Sequence, residues 1–488
     1  MEYGSFHKGI ALSRKVQSGW DDMTNVDVHS DIGSLLCQKS LNKASGATIT
    51  AGCYRAVVPT GDTYFFSKTD SKVWKRSISN GAYSLVHNGV NGAFKGATYY
   101  RNYLYYTMDG FLGRYDFGSV AGSPSTSLSV SSSISSSRSS SPSVSSSVSG
   151  SPSTSLSVSA SASSTPSSSP SVSPSSGTPS WNDNFQVLNT GYPHPLFQFD
   201  LILYIGNGYN VASLDDAGVF SSSVLDQNVE DIIYAMTNLG DDLLTLSNPG
   251  SYINDSSITR WNTFSDSWSY KDSIKQKGAY AFLDSDNYVH VVCVSGDIYL
   301  YNGSQLEIFS NIRDAASTTG HQLTTNFQGK PLIANGGRIF SLHRKNRNLP
   351  FALVGEYTCS AGTDATIHSI VACGSQLLVS WEYNGTFGID EIGNNFANAR
   401  VTTPRFKKAS TVKVFYDDLQ GASVGIYSRL DGQNNWTSHE VIDDSDDERC
   451  VKTVDSMQLK AGGQAMIVIT PDVSNITDSP SIDVISVE

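Results

Sequence analysis

The 488-residue chain predicts an all-β fold of small repeated sheets, and three observations carry that prediction. Short aromatic and aliphatic runs joined by Gly, Asp and Asn turns recur about every 40 residues. The composition suits pleated strands: 24 Tyr, 20 Phe and 41 Gly, with only 16% charged residues, where about 25% is usual. The runs also alternate apolar and polar positions, as in Asn25-Val26-Asp27-Val28-His29, which gives one apolar face per strand. Strand units repeated at this period are the signature of a β-propeller, here of about seven blades.

Residues 1–50 read as a β lead-in, with strands at Val26–His29 and Ser34–Lys39 around a turn at Ser30–Gly33. The propeller is expected over 51–398. Its first unit has strands at Cys53–Val58, Thr63–Ser67, Lys72–Arg76 and Tyr83–His87, separated by Pro59–Asp62 and Thr69–Ser71. The second spans Phe94–Phe117, with Asp109-Gly110 as a hairpin turn. Later units follow at His194–Phe220, Asp231–Trp268, Gly278–Phe309, Leu323–Val354 and Ile367–Glu391.

Between the second and third units lies a Ser/Pro-rich low-complexity insert, residues 119–180. More than half of it is Ser, Arg138 is its only charge, and SPSTSLSVS occurs twice, from Ser123 and from Ser151. Such a segment buries too little apolar area to offset chain entropy of about 1–2 kcal/mol per residue. A long disordered loop is therefore expected, and a propeller tolerates one because closure entropy grows only logarithmically with length. After Asn398 the rhythm changes. Residues 399–488 read as a small β-sandwich with strands at Thr411–Tyr416, Ser423–Leu430, Trp436–Ile442, Cys450–Gln458, Gln464–Thr470 and Ser481–Ser486.

Charge and cysteines narrow the function classes. A net charge of −12 opposes a nucleic-acid grip and docking on anionic lipid. No apolar run reaches the length of a membrane span, and MEYGSFHKGIALSRKVQ has no apolar core of a secretory leader. The expectation is a protein made in a cytoplasm. Cys37, Cys53, Cys293, Cys359, Cys373 and Cys450 form no C-x-x-C pair, so reduced core thiols are expected rather than disulfides or zinc. The sequons at Asn254, Asn302, Asn384, Asn435 and Asn475 then carry no sugar.

Motifs that point to chemistry give way to plainer readings. GASVG around Ser423 matches G-x-S-x-G, but a strand follows where a nucleophile elbow needs a helix. The acidic run Asp443-Asp444-Ser445-Asp446-Asp447-Glu448 lacks the alternation and central Gly of a calcium loop and reads as a solvated hairpin. Asp284-Ser285-Asp286-Asn287 reads as a strand-joining turn. SRLDGQNNW, Ser428–Trp436, approaches the Asp-box of sialidase-like propellers, but its Asp comes one place late and outside the repeats. Glu382, Asp390 and Glu391 are the candidates for the two carboxylates of a glycosidase, without a distinctive partner. Trp74, Trp261, Trp268 and Trp381 are expected to fill the core between blades. No catalytic, cofactor-binding or metal-ligating residue is assigned.

Three phrases carry a family resemblance: TNVDVHSDIGSLLCQKSLNKASGATIT, YFFSKTDSKVWKRS with YSLVHN, and HPLFQFDLILYIGNGYNVASL. With the ending VKVFYDDL, GIYSRLDG and SIDVISV, they resemble propeller proteins of tailed-bacteriophage virions and prophages over nearly the whole chain outside the insert. The resemblance implies a non-enzymatic virion structural protein, similar to the nozzle or hub components of phage tails. Its expected partners are other tail proteins and identical copies in a ring. It implies no cofactor and no catalytic residues. Three alternatives use the same residues: a tail-tip adhesion protein that binds a host-surface glycan, a glycan-cleaving propeller, and a surface adhesin with the Ser/Pro tract as its stalk.

Deleting residues 119–180 is expected to leave the fold intact. The check is the thermal midpoint and solubility of the shortened chain, and a large drop in either would show that the insert packs.

Overall fold

The computed structural model describes residues 22–27, 35–89, 92–118 and 178–249, and residues 255–487 with breaks at 266, 277, 286–287, 313–319, 344–351, 404, 406–410, 417–418, 420, 444–449, 455–462, 473, 475–478 and 480. Every regular element among them is a β-strand, and none is a helix that could cross a membrane.

Among the described residues, seven four-stranded antiparallel sheets follow one another along the chain as blades of a β-propeller. Their first strands are Cys53–Val57, Phe94–Tyr100, Leu196–Phe199, Asp231–Leu239, Ala279–Ser285, Thr324–Phe327 and Thr366–Cys373. Each touches the next, and the seventh touches the first, so these strands form the inner ring. Tight turns set the register within blades. Arg101 and Asn102, at φ 47° and 68°, form the two-residue turn that pairs Tyr100 with Tyr103.

The fourth strand of the seventh blade does not come from the end of the propeller sequence. It is Lys39–Lys43, which pairs antiparallel with Thr386–Phe396. The rest of the lead-in also joins other sheets. Asp22–Thr24 pairs with Ala399–Thr402, Val26–Asp27 with Leu35–Cys37, and Leu35–Cys37 with Ser481–Val487. These N-terminal strands complete two five-stranded sheets. One also holds Ala399–Thr402, Gly463–Thr470, Ser423–Leu430 and Thr437–Ile442; the other holds Ser481–Val487, Val412–Tyr416 and Cys450–Val454. The expected stretch 1–50 is thus no separate module where it is described, because edge strands need partners and it supplies them.

The Ser/Pro stretch enters the chain at a different place from that expected. The second blade takes Phe94–Tyr100, Tyr103–Met108 and Phe111–Asp116, and then Ser180–Val187 from beyond the insert as its fourth strand. The insert therefore interrupts one blade rather than separating two. Trp181 anchors the returning strand: its ring stacks on His87 at 4.2 Å and on Tyr115 at 4.2 Å. Asp183 accepts hydrogen bonds from Tyr106 at 2.6 Å and from His87 at 2.9 Å. Residues 119–177, where composition predicts disorder, lie outside the described residues.

One apolar cluster joins the two five-stranded sheets to the sixth and seventh blades. It contains Met23, Val26, Leu35, Val412, Val424 and Ile467 together with Leu332, Phe340, Val354 and Trp381. Close approach is required at Gly355, where a β-carbon would lie 2.0 Å from the Met23 carbonyl oxygen. A polar clamp crosses the same seam. Fully buried Glu356 accepts from Gln38 Nε2 at 2.6 Å, Ser341 Oγ at 2.7 Å and Lys330 Nζ at 3.2 Å, and Lys330 also reaches Asp27 at 3.4 Å. Asp22 pairs with Arg338 of the sixth blade at 2.8 Å and with Arg400 at 2.9 Å.

Breaking a buried pair strands a charge, which costs about 3–5 kcal/mol. Lys330→Met is therefore expected to lower unfolding stability by about 3 kcal/mol or more, with Lys330→Met/Glu356→Gln recovering part of the loss. Urea denaturation of the three proteins measures it, and equal midpoints would show the clamp to be idle.

Candidate functional site

The site begins with polar residues placed on the inner ring, where a strand is covered on both sides by neighbouring blades. Tyr54 and Arg55 lie on the first strand of the first blade, and Lys68 follows the end of its second strand. His321 and Gln322 immediately precede the first strand of the sixth blade, and His368 lies on that of the seventh. Gln322 ties the group together. Its Oε1 accepts from Arg55 N at 2.6 Å, and its Nε2 donates to the carbonyls of Arg55 at 3.0 Å and Ala97 at 2.8 Å. The sixth blade is thereby bonded to the first and second.

Arg55 donates from Nε to the Ile370 carbonyl at 2.9 Å and from Nη2 to the Thr324 carbonyl at 3.2 Å. Lys68 Nζ donates to the His368 carbonyl at 3.0 Å and lies 4.4 Å from the Tyr54 ring centroid. That tyrosine ring stacks on His321 at 5.5 Å and 19°. His368 Nε2 faces Glu382 Oε2 at 3.3 Å. Two imidazole nitrogens, His321 Nε2 and His368 Nδ1, are buried with no hydrogen-bond partner.

Enclosure by protein sets the protonation of the group. Burial lowers Lys68 to about 8 and Arg55 to about 10. Burial, with repulsion from Lys68 and then Arg55, lowers His321 to about 3; burial and Lys68 do the same to His368. The imidazoles are neutral at pH 7 and the two cations remain charged. His368 then donates from Nε2 to Glu382, which leaves Nδ1 as a bare acceptor. Chemically the cluster offers two cations to an anion and no activated nucleophile.

The residues singled out from the sequence do not converge here, apart from Glu382. Buried Asp390 accepts from Ser360 N at 2.7 Å, Ser360 Oγ at 2.6 Å and Trp381 Nε1 at 2.6 Å, a structural set. Glu391 accepts from Arg76 Nε and Nη2 at 2.8 Å each and from the Tyr83 hydroxyl at 2.6 Å; burial pushes its carboxyl up, but these bonds outweigh it and hold the value low. Asp390 pairs with Val379, three residues from Glu382 on the same strand. Side chains alternate along a strand, so Glu382 and Asp390 leave opposite faces of their hairpin. They do not flank a common substrate position.

Ser423 starts the strand Ser423–Leu430 after a turn at Gly421, φ 85°, so no helix follows it. Asp284 and Ser285 end a strand, while Asp286, Asn287 and most of the acidic run, 444–448, lie outside the described residues. Cys37, Cys53, Cys293, Cys359 and Cys373 are free and buried. Burial raises the thiols of Cys37, Cys53 and Cys293 to about 12. Among the described residues no group of three or more His, Cys, Asp or Glu side chains is placed to hold a metal.

Trp74, Trp261 and Trp381 are buried, but Trp268 is 41% exposed, against the expectation of core. It stands on the outer hairpin of the fourth blade beside Phe264, 91% exposed, and Tyr270, 37% exposed. The hairpin is held by Asn262 Oδ1, which accepts from Phe264 N at 3.1 Å and Ser265 N at 3.0 Å, and by Trp261 Nε1, which donates to the Ser265 carbonyl at 2.7 Å. Phe264 and Trp268 lie in the connection between the strands Ser256–Trp261 and Tyr270–Ile274, where no neighbouring strand covers them.

No family model matches the chain, and no curated protein matches it. Solved structures match at low identity. A catalytically inactive virginiamycin B lyase from Staphylococcus aureus with quinupristin is 11% identical over 72% of this chain and 99% of its own, with a TM-score of 0.47. YCF48 bound to D1 peptide is 8% identical over 76% of this chain and 97% of its own, with a TM-score of 0.43. BBS1N in complex with ARL6DN is 9% identical over 73% and 98%, with a TM-score of 0.41.

The imidazoles make stability pH-dependent with a fixed sign. Their folded values lie below the unfolded value of 6.5, so the unfolded chain binds more protons as pH falls from 6.5 toward 3. Stability should therefore decline across that window, and the double variant His321→Gln/His368→Gln should decline less steeply. Urea midpoints from pH 7 to 4 report it; parallel slopes would mean that the folded protein protonates these rings freely.

Proposed function

We propose that this chain is a non-enzymatic structural protein of a tailed-phage virion, made in the host cytoplasm and built into the tail as a nozzle or hub component. It acts as a propeller that docks other tail proteins and assembles as a ring of identical copies. The observation that carries this reading is the interlocking of the two chain ends. Strands from 22–43 close the seventh blade and complete both sheets that hold the C-terminal strands. Such a molecule yields only if several hydrogen-bonded ladders part together, which suits a particle component under load more than a site that opens and closes. The sequence phrases that resemble those of phage propellers support the same reading. The carboxylates considered for hydrolysis are occupied by Ser360, Trp381, Arg76 and Tyr83 or sit on opposite faces.

A second reading has its own observation. Phe264, Trp268 and Tyr270 present aromatic faces from one tied hairpin, and aromatic faces stack on sugar rings. On this reading the protein grips a host-surface glycan at the tail tip.

Light scattering coupled to size exclusion, with negative-stain images of the same peak and gold-labelled antibody on phage particles, tests the first reading. A closed ring of several copies and label on the tail are expected; particles without label would sink it. Glycan-array binding that is lost in Trp268→Ala with the fold retained would move the assignment to adhesion.

A further inference from the structure

We infer that the inner ring holds a binding site for a small oxyanion of the phosphate or sulfate class, with Arg55 and Lys68 as its cationic ligands. Burying an unpaired charge costs several kcal/mol, so proteins normally provide a carboxylate beside it. Here neither cation has one. Arg55 is bonded to two backbone carbonyls, and its Nη1 donates to no protein group. Lys68 has one carbonyl and one aromatic face, so ammonium protons remain unspent. The carboxylates nearby are committed elsewhere: Glu382 faces His368 Nε2 at 3.3 Å, and Asp70 holds Lys72 at 2.9 Å and Thr50 at 2.9 Å.

The two cations act on one place. Lys68 donates to the His368 carbonyl and Arg55 to the Ile370 carbonyl, two positions apart on one inner strand, and the His321 ring stacks on the tyrosine under Lys68. Glycines bring the backbone close to both: a β-carbon at Gly320 would stand 3.6 Å from Lys68 Nζ, and one at Gly96 would stand 3.2 Å from His321 Cε1 and 2.8 Å from the His194 carbonyl oxygen. Tyr54, Arg55, Lys68, His321 and His368 are half-buried rather than sealed, although four blades surround them, so the group remains open to a solvent-borne ligand.

The donor set selects the ligand. A guanidinium edge and an ammonium favour an anion with several oxygens, and the group's carboxylate, Glu382, faces His368 rather than either base. The whole chain carries −12, so an anion captured here is held by local geometry and not by the general field.

Calorimetric titration of the full chain with inorganic phosphate, at ionic strength matched with chloride, tests the inference. Saturable one-to-one binding that sulfate competes for is expected, with affinity falling at least about tenfold in Lys68→Gln and largely kept in Lys68→Arg. Absence of saturable binding by the parent chain, or equal affinity in a folded Lys68→Gln variant, overturns it. If Lys68→Gln does not fold, crystals of the parent soaked in tungstate decide the location. An anomalous peak against Arg55 and Lys68 supports the site, and a peak only elsewhere refutes it.

Discussion

A propeller is a row of sheets until something joins the last to the first, and in this protein that joint is the antiparallel ladder between Lys39–Lys43 and Thr386–Phe396. Without the fourth strand, the seventh blade would expose the edge of Thr386–Phe396. With it, chain segments more than 300 residues apart share one sheet, so the ring closes through hydrogen bonds as well as through packing of the inner strands. The rest of the architecture follows from where that strand comes from. Because the N-terminal segment must reach the seventh blade, it passes the C-terminal strands and is built into both of their sheets.

The seam made in this way is apolar in area and ionic in register. Met23, Val26 and Leu35 supply burial, which is non-directional and would allow the strap to slide. Asp22, Asp27 and Gln38 meet Arg338, Lys330 and Glu356 at fixed positions, and a slip by one residue would leave buried Glu356 without Gln38. Gly355 adds a steric stop, since the backbone of Met23 passes where a side chain would stand. The same economy appears at the insert. Trp181 and Asp183 fix the returning strand by stacking and by two hydrogen bonds, so the second blade is completed whatever the length of chain between Phe117 and Ser180.

The basic cluster of the inner ring keeps two cations beside two neutral rings. Burial first, and then repulsion from Lys68, strips the imidazoles of their protons, while Lys68 and Arg55, lowered by burial to about 8 and about 10, keep theirs at pH 7. Gln322 fixes the spacing by bonding the backbones of two other blades. A cluster held by the scaffold in this way is preorganised, and whatever it binds need not order it.

The sequence by itself determined the local structure. Turn residues such as Asp109-Gly110 and short aromatic runs such as Thr63–Ser67 set strands that appear where they were expected, because hairpins are closed by neighbours in the chain. The C-terminal strands were legible from their own runs and turns, within a residue or two at most ends, although most of them pair with strands distant in the chain. Tertiary structure alone decided which sheet each chain end joins, that the Ser/Pro insert splits a blade, and that Trp268 faces solvent while Trp261 does not. A strand pattern records which face is apolar but not the partner across its edge. The axial site was illegible on the same ground. Arg55, Lys68, His321 and His368 share no spacing or motif, and the one available signal was charge and imidazole on strands that begin a unit, as at Arg55 and His368. Only closure of the ring brings positions 55 and 368 into one cluster, and closure is a property of the whole chain.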